Sequence, residues 1–281
     1  MAPHGHAPAE PFFLQSAAGP RFCLFHAPAG PRRGALVYLH PFAEEMNKSR
    51  RMAALGARAL AAQGVGVLQV DLHGCGDSDG EFAQARWDGW LRDVAAARAW
   101  LEARLGCRAG LWGLRLGALL ALDHAASAPQ APARVLLWQP VIHGATFLTQ
   151  FLRLRLASDM LKDGGERSGT EALRASLRAG QSLEIAGYEL APQLALAIDG
   201  LDAAALAPLR CPAQWLEVVA APGRPLPPAA ARVADAWRGQ GVDLRVETVE
   251  GPQFWNTQEI EEAPALLAAT ATICEAPAHA V

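Results

Sequence analysis

The stretch Gly113-Leu114-Arg115-Leu116-Gly117 follows a short apolar run, Ala109–Trp112, and precedes an apolar run with helical character, Ala118–Ala126. Strand, tight turn and helix, with a glycine two residues to either side of the central position, is the pattern of a nucleophile elbow. The glycines are needed because the central residue is strained and its neighbours crowd the helix that follows. Such a centre ordinarily carries Ser, Cys or Asp, each of which can form a bond to carbon. Arg115 cannot, because its guanidinium stays protonated at any working pH. What the turn retains is an affinity for anions. Leu116 opens a helix, and a helix N-terminus with an arginine beside it attracts negative charge. Two glycines at this spacing also serve plain close packing, so the surroundings must carry part of the weight.

The surroundings place further chemistry nearby. His40-Pro41-Phe42 ends the apolar run Ala35–Leu39, and the Phe42 amide is positioned to be the second donor of an oxyanion hole; Pro41 has no N–H to offer. A catalytic base would lie on the loop after the last strand, in a Gly-x-x-His-aromatic pattern. The chain has Gly251-Pro252-Gln253-Phe254 instead, and Gln253 is no base near neutrality. The acid would follow Ala213–Val219, where Ala221 stands at its position and Glu217, one step back on the strand, is the nearest carboxylate. Nucleophile, base and acid are all missing from their places, which argues for a site that no longer uses Ser-His-Asp chemistry.

Other candidates occupy the same neighbourhood. Cys75 and Ser78 lie on the loop Asp71–Gly80, where flanking glycines and aspartates give them ordinary turn roles as well as possible nucleophilic ones. His40 and His73 follow strand ends near the site and could serve as bases, but neither has a recognisable partner, and holding the loops by side-chain hydrogen bonds is the favoured reading. Glu44 and Glu45 come just past the oxyanion loop, as a helix start or as ion-pair partners. Arg115 therefore has two readings. With the Leu116 and Phe42 amides it builds an anion site; paired with Glu44, Glu45 or Glu217 it plugs the pocket, since a buried arginine without a partner is costly. No His/Cys/Asp cluster, Walker loop or dinucleotide fingerprint is present, because Gly74-x-Gly76-x-x-x-Gly80 is one residue too long, so neither metal nor cofactor is expected.

The elements that must hold these residues can be read from the apolar pattern. Pro11–Leu14 and Arg21–Phe25 are predicted as strands around a turn. A strand over Ala35–Leu39, a helix capped by Ser49 and running to Gln63, and a strand over Val65–Val70 follow. Trp87–Leu105 is predicted helical, Ala109–Trp112 a strand, Ala118–Ala126 a helix and Val135–Gln139 a strand. Strands apolar throughout and alternating with helices call for a parallel sheet covered on both faces. The alternation breaks at Pro140, and residues 141–206 read as an inserted helical cap, with helices over Phe147–Leu161, Glu171–Leu177 and Pro192–Leu206 separated by the polar Lys162–Gly169. Its segment Phe147–Leu156, apolar with two interleaved arginines, covers the core or offers an amphipathic surface to an acyl ligand, a partner protein or a membrane face. Strands over Ala213–Val219 and Asp243–Val249, with helices over Ala229–Arg238 and Gln258–Glu275, complete a single domain with about eight strands.

Composition narrows the partners. The 281 residues carry 25 basic and 28 acidic side chains, a formal charge of −3, which gives no global attraction to nucleic acid or anionic lipid; a charged-ligand site must be local. Lys48 and Lys162 are the only lysines, so the basic charge is nearly all arginine. The five cysteines are scattered, with neither CxxC spacing nor a disulfide framework. No secretion signal pattern opens the chain and no apolar run approaches the roughly 20 residues of a membrane span. A reducing cytoplasm is the expected location.

The order of elements resembles the α/β-hydrolase superfamily along nearly the whole chain, and Asp71–Gly80 resembles its D-x-x-G-x-G-x-S-x-G loop. The strings His40–Lys48, Gly113–Gly117, Trp138-Gln139-Pro140, Phe147–Leu156 and Gly251–Trp255 resemble the exosortase A system-associated hydrolase 2 subfamily. That resemblance implies an α/β-hydrolase fold in a bacterial cytoplasmic protein, encoded beside exosortase (PEP-CTERM protein-sorting) and exopolysaccharide genes. Its label implies a hydrolase, but of no stated substrate. Together with the residues at the triad positions, it leads to three expectations. The first is non-hydrolytic binding of a small anionic or acylated ligand or of a partner protein. The others are hydrolysis of an ester or thioester by unconventional residues, and a structural role beside exosortase-system or exopolysaccharide-pathway proteins.

Overall fold

Breakers and apolar runs translate directly into the elements of the computed structural model, which describes residues 8–161 and 169–275. The polar separator at 162–168 lies outside the described residues. The chain opens with β1 (Glu10–Ser16) and β2 (Gly19–His26), an antiparallel pair joined by a turn in which Gly19 takes φ 98°. Then come β3 (Gly34–Leu39), α1 (Glu44–Ala62), β4 (Val65–Val70), α2 (Trp87–Leu105), β5 (Gly110–Leu114), α3 (Leu116–Ser127) and β6 (Val135–Trp138). A mostly helical stretch follows, consisting of α4 (Gly144–Leu161), α5 (Thr170–Arg178), the hairpin β7 (Leu183–Ile185) and β8 (Tyr188–Leu190), and α6 (Pro192–Asp199). Finally β9 (Ala213–Val219), α7 (Pro228–Gly239), β10 (Leu244–Glu250) and α8 (Pro264–Glu275) return to the alternating pattern.

Eight strands form one sheet in the order β1-β2-β4-β3-β5-β6-β9-β10. From β4 to β10 every neighbouring pair is parallel, and β2 joins β4 antiparallel. The central strands β5, β6 and β9 are buried along their whole length, so both faces need a cover of helices. Helices α1 and α8 cover one face over Leu36, Tyr38, Trp112, Trp138 and Phe254, while α2, α3 and α7 cover the other. This is the expected α/β-hydrolase architecture. Among the described residues, no helix is long and apolar enough to cross a membrane.

The stretch between β6 and β9 lies over the carboxyl ends of the strands. Phe42, just past the end of β3, meets Phe147 and Phe151 of α4 edge-on at ring distances of 5.7 and 5.0 Å, and Phe82 meets Tyr188 at 5.1 Å. In open α/β sheets this is the edge where ligands bind.

The largest departures from the sequence reading are four. Helix α1 starts at Glu44, so Ser49 is not its cap but a buried residue in its interior. The chain enters this helix through Ala43, at φ 49° and ψ −126°, which places Glu44 and Glu45 in the first turn, where carboxylates suit the helix dipole. The helix read across 192–206 stops at Asp199, and Asp202 then caps a single 3-10 turn by accepting from the Ala204 amide. The β7–β8 hairpin was not foreseen; it turns on Ala186 and Gly187, both at positive φ. Helix α8 begins at Pro264 and not at Gln258.

Candidate functional site

Arg115 is the residue between β5 and α3, held at φ 56° and ψ −117°. A left-handed conformation at a non-glycine residue costs about 1–3 kcal/mol and persists only where the surroundings impose it. Here they do. The Arg115 amide donates to the Trp138 carbonyl at 3.0 Å, and its carbonyl accepts from Ala118 and Val141. A Cβ on Gly117 would stand 2.2 Å from the Leu39 carbonyl oxygen, and one on Gly113 2.4 Å from the Ala118 Cα. Both glycines are thus required by backbone approach, α3 against the end of β3 and β5 against α3. The cavity between Leu116, His40 and Phe42 measures only about 10 Å³. The Leu116 and Phe42 amides have no acceptor among the described residues.

The Arg115 side chain folds back onto Glu45. Its Nε and Nη2 donate to Glu45 Oε1 at 3.3 and 3.2 Å, and the guanidinium carbon lies 5.4 Å from the centre of the Trp255 ring. The two charged side chains are 17% and 21% exposed, too little for water to solvate them fully. Burial pushes the Glu45 carboxyl above its ordinary range, and the Arg115 charge opposes that. Glu45 Oε2 is buried without a hydrogen-bond partner.

Glu217 is close enough to feel the Arg115 charge but makes no hydrogen bond to it. It accepts from Trp215 Nε1 at 2.8 Å and from Gln139 Nε2 at 2.9 Å. Burial raises its carboxyl, opposed first by the Trp215 hydrogen bond and then by Arg115. Gln139, at φ 44°, also accepts from the Val218 amide through Oε1 at 2.7 Å, which ties the end of β6 to β9. Of the three carboxylates foreseen as partners for Arg115, the structure thus selects Glu45.

The remaining candidates separate from this centre. Glu44 is exposed and accepts from Asn47 Nδ2 and the Tyr188 hydroxyl, fastening the β7–β8 hairpin to α1. Gln253 is exposed, and its side chain has no hydrogen-bond partner among the described residues; the aromatic residue two places on, Trp255, is what its loop brings to Arg115. Ala221 sits half-buried in the turn after β9 with no carboxylate taking its role. His40 is buried, lies 2.8 Å through Nδ1 from the Pro41 carbonyl and accepts the Leu72 amide at Nε2. Those partners fix the neutral ring with hydrogen on Nδ1, and burial lowers its pKa, so His40 holds the loop and is not available to a ligand. Ser78 donates to the Asp71 carbonyl and accepts the Phe22 amide at 2.8 Å. The Cys75 thiol is buried and pushed far above its ordinary range, the opposite of an activated nucleophile. No group of three potential metal ligands occurs among the described residues.

The family model described as serine aminopeptidase, S33, matches residues 30–173, which include α1, the elbow and the start of the intervening helices. The chain belongs to this family of α/β-hydrolases. No curated protein matches it in sequence. Among solved structures, this S33-type hydrolase fold is similar to Est1E from Butyrivibrio proteoclasticus with ferulic acid bound, at 14% identity and TM-score 0.68, covering 93% of this chain and 97% of that one. A thermostable carboxyl esterase from Bacillus coagulans in complex with glycerol superposes at 12% identity and TM-score 0.65, covering 97% and 99%. The thioesterase domain from the curacin biosynthetic pathway follows at 14% identity and TM-score 0.59, covering 96% and 100%. At such identities the likeness is one of fold.

Proposed function

We propose that this S33-family chain is a non-hydrolytic member of its fold, acting by binding in a bacterial cytoplasm beside the exosortase and exopolysaccharide machinery. The observation that carries the reading is Arg115 at the strained elbow position, engaged with Glu45. A guanidinium there forms no acyl intermediate and takes the space a substrate carbonyl would need. Gln253 stands exposed at the base position, and neither Cys75 nor Ser78 is activated. The closed Arg115–Glu45 pair favours a protein partner bound through the surface over a small molecule bound at the elbow. The strings around His40, Gly113, Trp138, Phe147 and Gly251 support the placement in the exosortase system.

A second reading, an anionic or acylated ligand at the elbow, is favoured by the Leu116 and Phe42 amides, which have no acceptor among the described residues. A carboxylate entering there would replace Glu45, whose burial already weakens its hold on charge.

Activated short-chain esters and a fluorophosphonate probe test the first reading. Turnover is expected at background, with no covalent label, and Arg115→Ser alone is expected to leave both unchanged because no base is in place. Saturable ester hydrolysis that stays with the protein through purification, and that is abolished by a Cys75 or Ser78 substitution, defeats the proposal. Fatty-acid carboxylates tested by calorimetry separate the second reading, since binding lost in Arg115→Ala assigns the ligand to the elbow.

A further inference from the structure

At the edge of the sheet opposite the elbow, the amino ends of the parallel strands surround a cavity of about 310 Å³. Its wall carries four arginines. Arg32 and Arg33 precede β3, Arg108 precedes β5 and Arg134 precedes β6. Ala35, Leu36, Val65 and Ala133 supply an apolar lining, and a Cβ on Gly34 would meet nothing within 4 Å. None of the described lining residues is acidic.

The charge is local, and for three of these arginines no described carboxylate balances it. The chain as a whole carries −3, yet Arg32, Arg33 and Arg108 enter no ion pair among the described residues. The nearest carboxylate in sequence, Glu102, is occupied by Arg98 Nη2 and the Ala109 amide, both at 3.0 Å. Arg32 donates to the Leu105 carbonyl at the C-terminal end of α2, the ordinary use of a cation at a helix end. Arg33 and Arg108 have no such use, although both open onto the same cavity.

We propose that this cavity is a second ligand site, independent of the elbow, which takes the diphosphate group of a small organic diphosphate. A single carboxylate or phosphate is satisfied by one or two guanidinium forks; three or more on one wall match an anion with several oxygens and more than one charge. The volume lies at the small end of the range for ligand pockets, enough for a diphosphate and a compact organic group. The apolar lining gives that group a place to pack.

The site is tested by isothermal titration of the full chain with inorganic pyrophosphate, with ADP as an organic diphosphate, and with sulfate. One saturable site for pyrophosphate or ADP, with sulfate at least about tenfold weaker, is expected. ADP binding more tightly than pyrophosphate places the organic group in the cavity, and equal affinity assigns recognition to the diphosphate alone; both outcomes support the site. Arg33 and Arg108 are exposed, so Arg33→Gln and Arg108→Gln should leave the fold intact, and each should weaken binding about tenfold or more. Arg115→Ala is expected to change nothing here, which keeps the outcome separate from the reading of the elbow. The proposal is overturned if neither diphosphate binds at about 1 mM. It is equally overturned if sulfate binds as well as they do, or if the Arg33→Gln/Arg108→Gln double variant binds them unchanged.

Discussion

Arg115→Met removes the elbow cation while keeping much of its apolar stem, and the consequence can be worked from the pair it breaks. At 3.2 Å and an effective dielectric near 20, the gross attraction is about 5 kcal/mol. Desolvation of two charges, each about one-fifth exposed, cancels most of it and leaves a coupling of roughly 1–2 kcal/mol. Contact with the Trp255 ring adds about 0.5–1 kcal/mol that does not depend on Glu45. The pH dependence then has a defined sign. Burial already holds the Glu45 carboxyl above the ordinary 4.5, and without Arg115 it rises further. A folded-state pKa above the unfolded one means stability that is full below the unfolded value and lost as pH rises through the folded one. Wild type and variant both lose stability across that window, the variant more, so the gap between them widens from the acid side upward. Urea unfolding at about pH 4.5 and about pH 8 should show Arg115→Met less stable by about 2 kcal/mol at the higher pH and by clearly less at the lower. A cycle with Glu45→Gln isolates the charge coupling from the ring contact. A coupling of zero, or one equal at both pH values, refutes the assignment of Glu45 as the residue that satisfies Arg115.

One further substitution and one labelling experiment test the packing of the same structure. Gly117→Ala places a methyl 2.2 Å from the Leu39 carbonyl oxygen, which is backbone and cannot swing aside; a loss of about 3 kcal/mol or more is expected in the same unfolding assay. A variant as stable as the parent would mean that α3 does not press on β3. Cys75 should resist iodoacetamide in the native protein at neutral pH and react only after unfolding, whereas half-buried Cys107 should react natively. Mass spectrometry of the labelled peptides decides this, and rapid native labelling of Cys75 would reopen its candidacy as a nucleophile.

The sequence made legible those elements whose cause is local. Ala213–Val219, Val65–Val70 and Trp87–Leu105 have the observed bounds because a run buried on both faces, or a helix with one apolar side stopped by a glycine, needs no distant information. The elbow was legible for the same reason, since Gly113 and Gly117 mark a turn by their absence of Cβ. Where the cause is non-local, the reading failed or stayed open. The start of α1 is set by the turn at Ala43, a residue type that gives no hint of positive φ. Three carboxylates were equally eligible for Arg115, and only the docking of α1 over the end of β5 decides for Glu45. Trp255 belongs to the string Gly251–Trp255, but nothing in its type or spacing marks it as a partner of Arg115; only the folded chain sets the guanidinium over its ring. The arginines of the opposite edge are spread between positions 32 and 134, and only the parallel sheet gathers them.

The strain itself argues for how the carboxyl edge is used. Among the described residues, the non-glycine positions at positive φ are Ala43, Arg115, Gln139 and Ala186. Ala186 belongs to a two-residue hairpin turn, where that conformation is the norm. The other three follow β3, β5 and β6, adjacent strands of one sheet, and all end at the same edge. Each has a defined consequence. Ala43 sends Glu45 toward Arg115, Arg115 turns its own side chain to meet it, and Gln139 holds Glu217 within reach of the Arg115 charge. At about 1–3 kcal/mol apiece, such conformations are a large fraction of a domain's net stability. A surface needed only to close the core could have used relaxed turns. Strain concentrated on three neighbouring strand ends, around the Arg115–Glu45 pair, fits an edge kept for a function beyond closing the core.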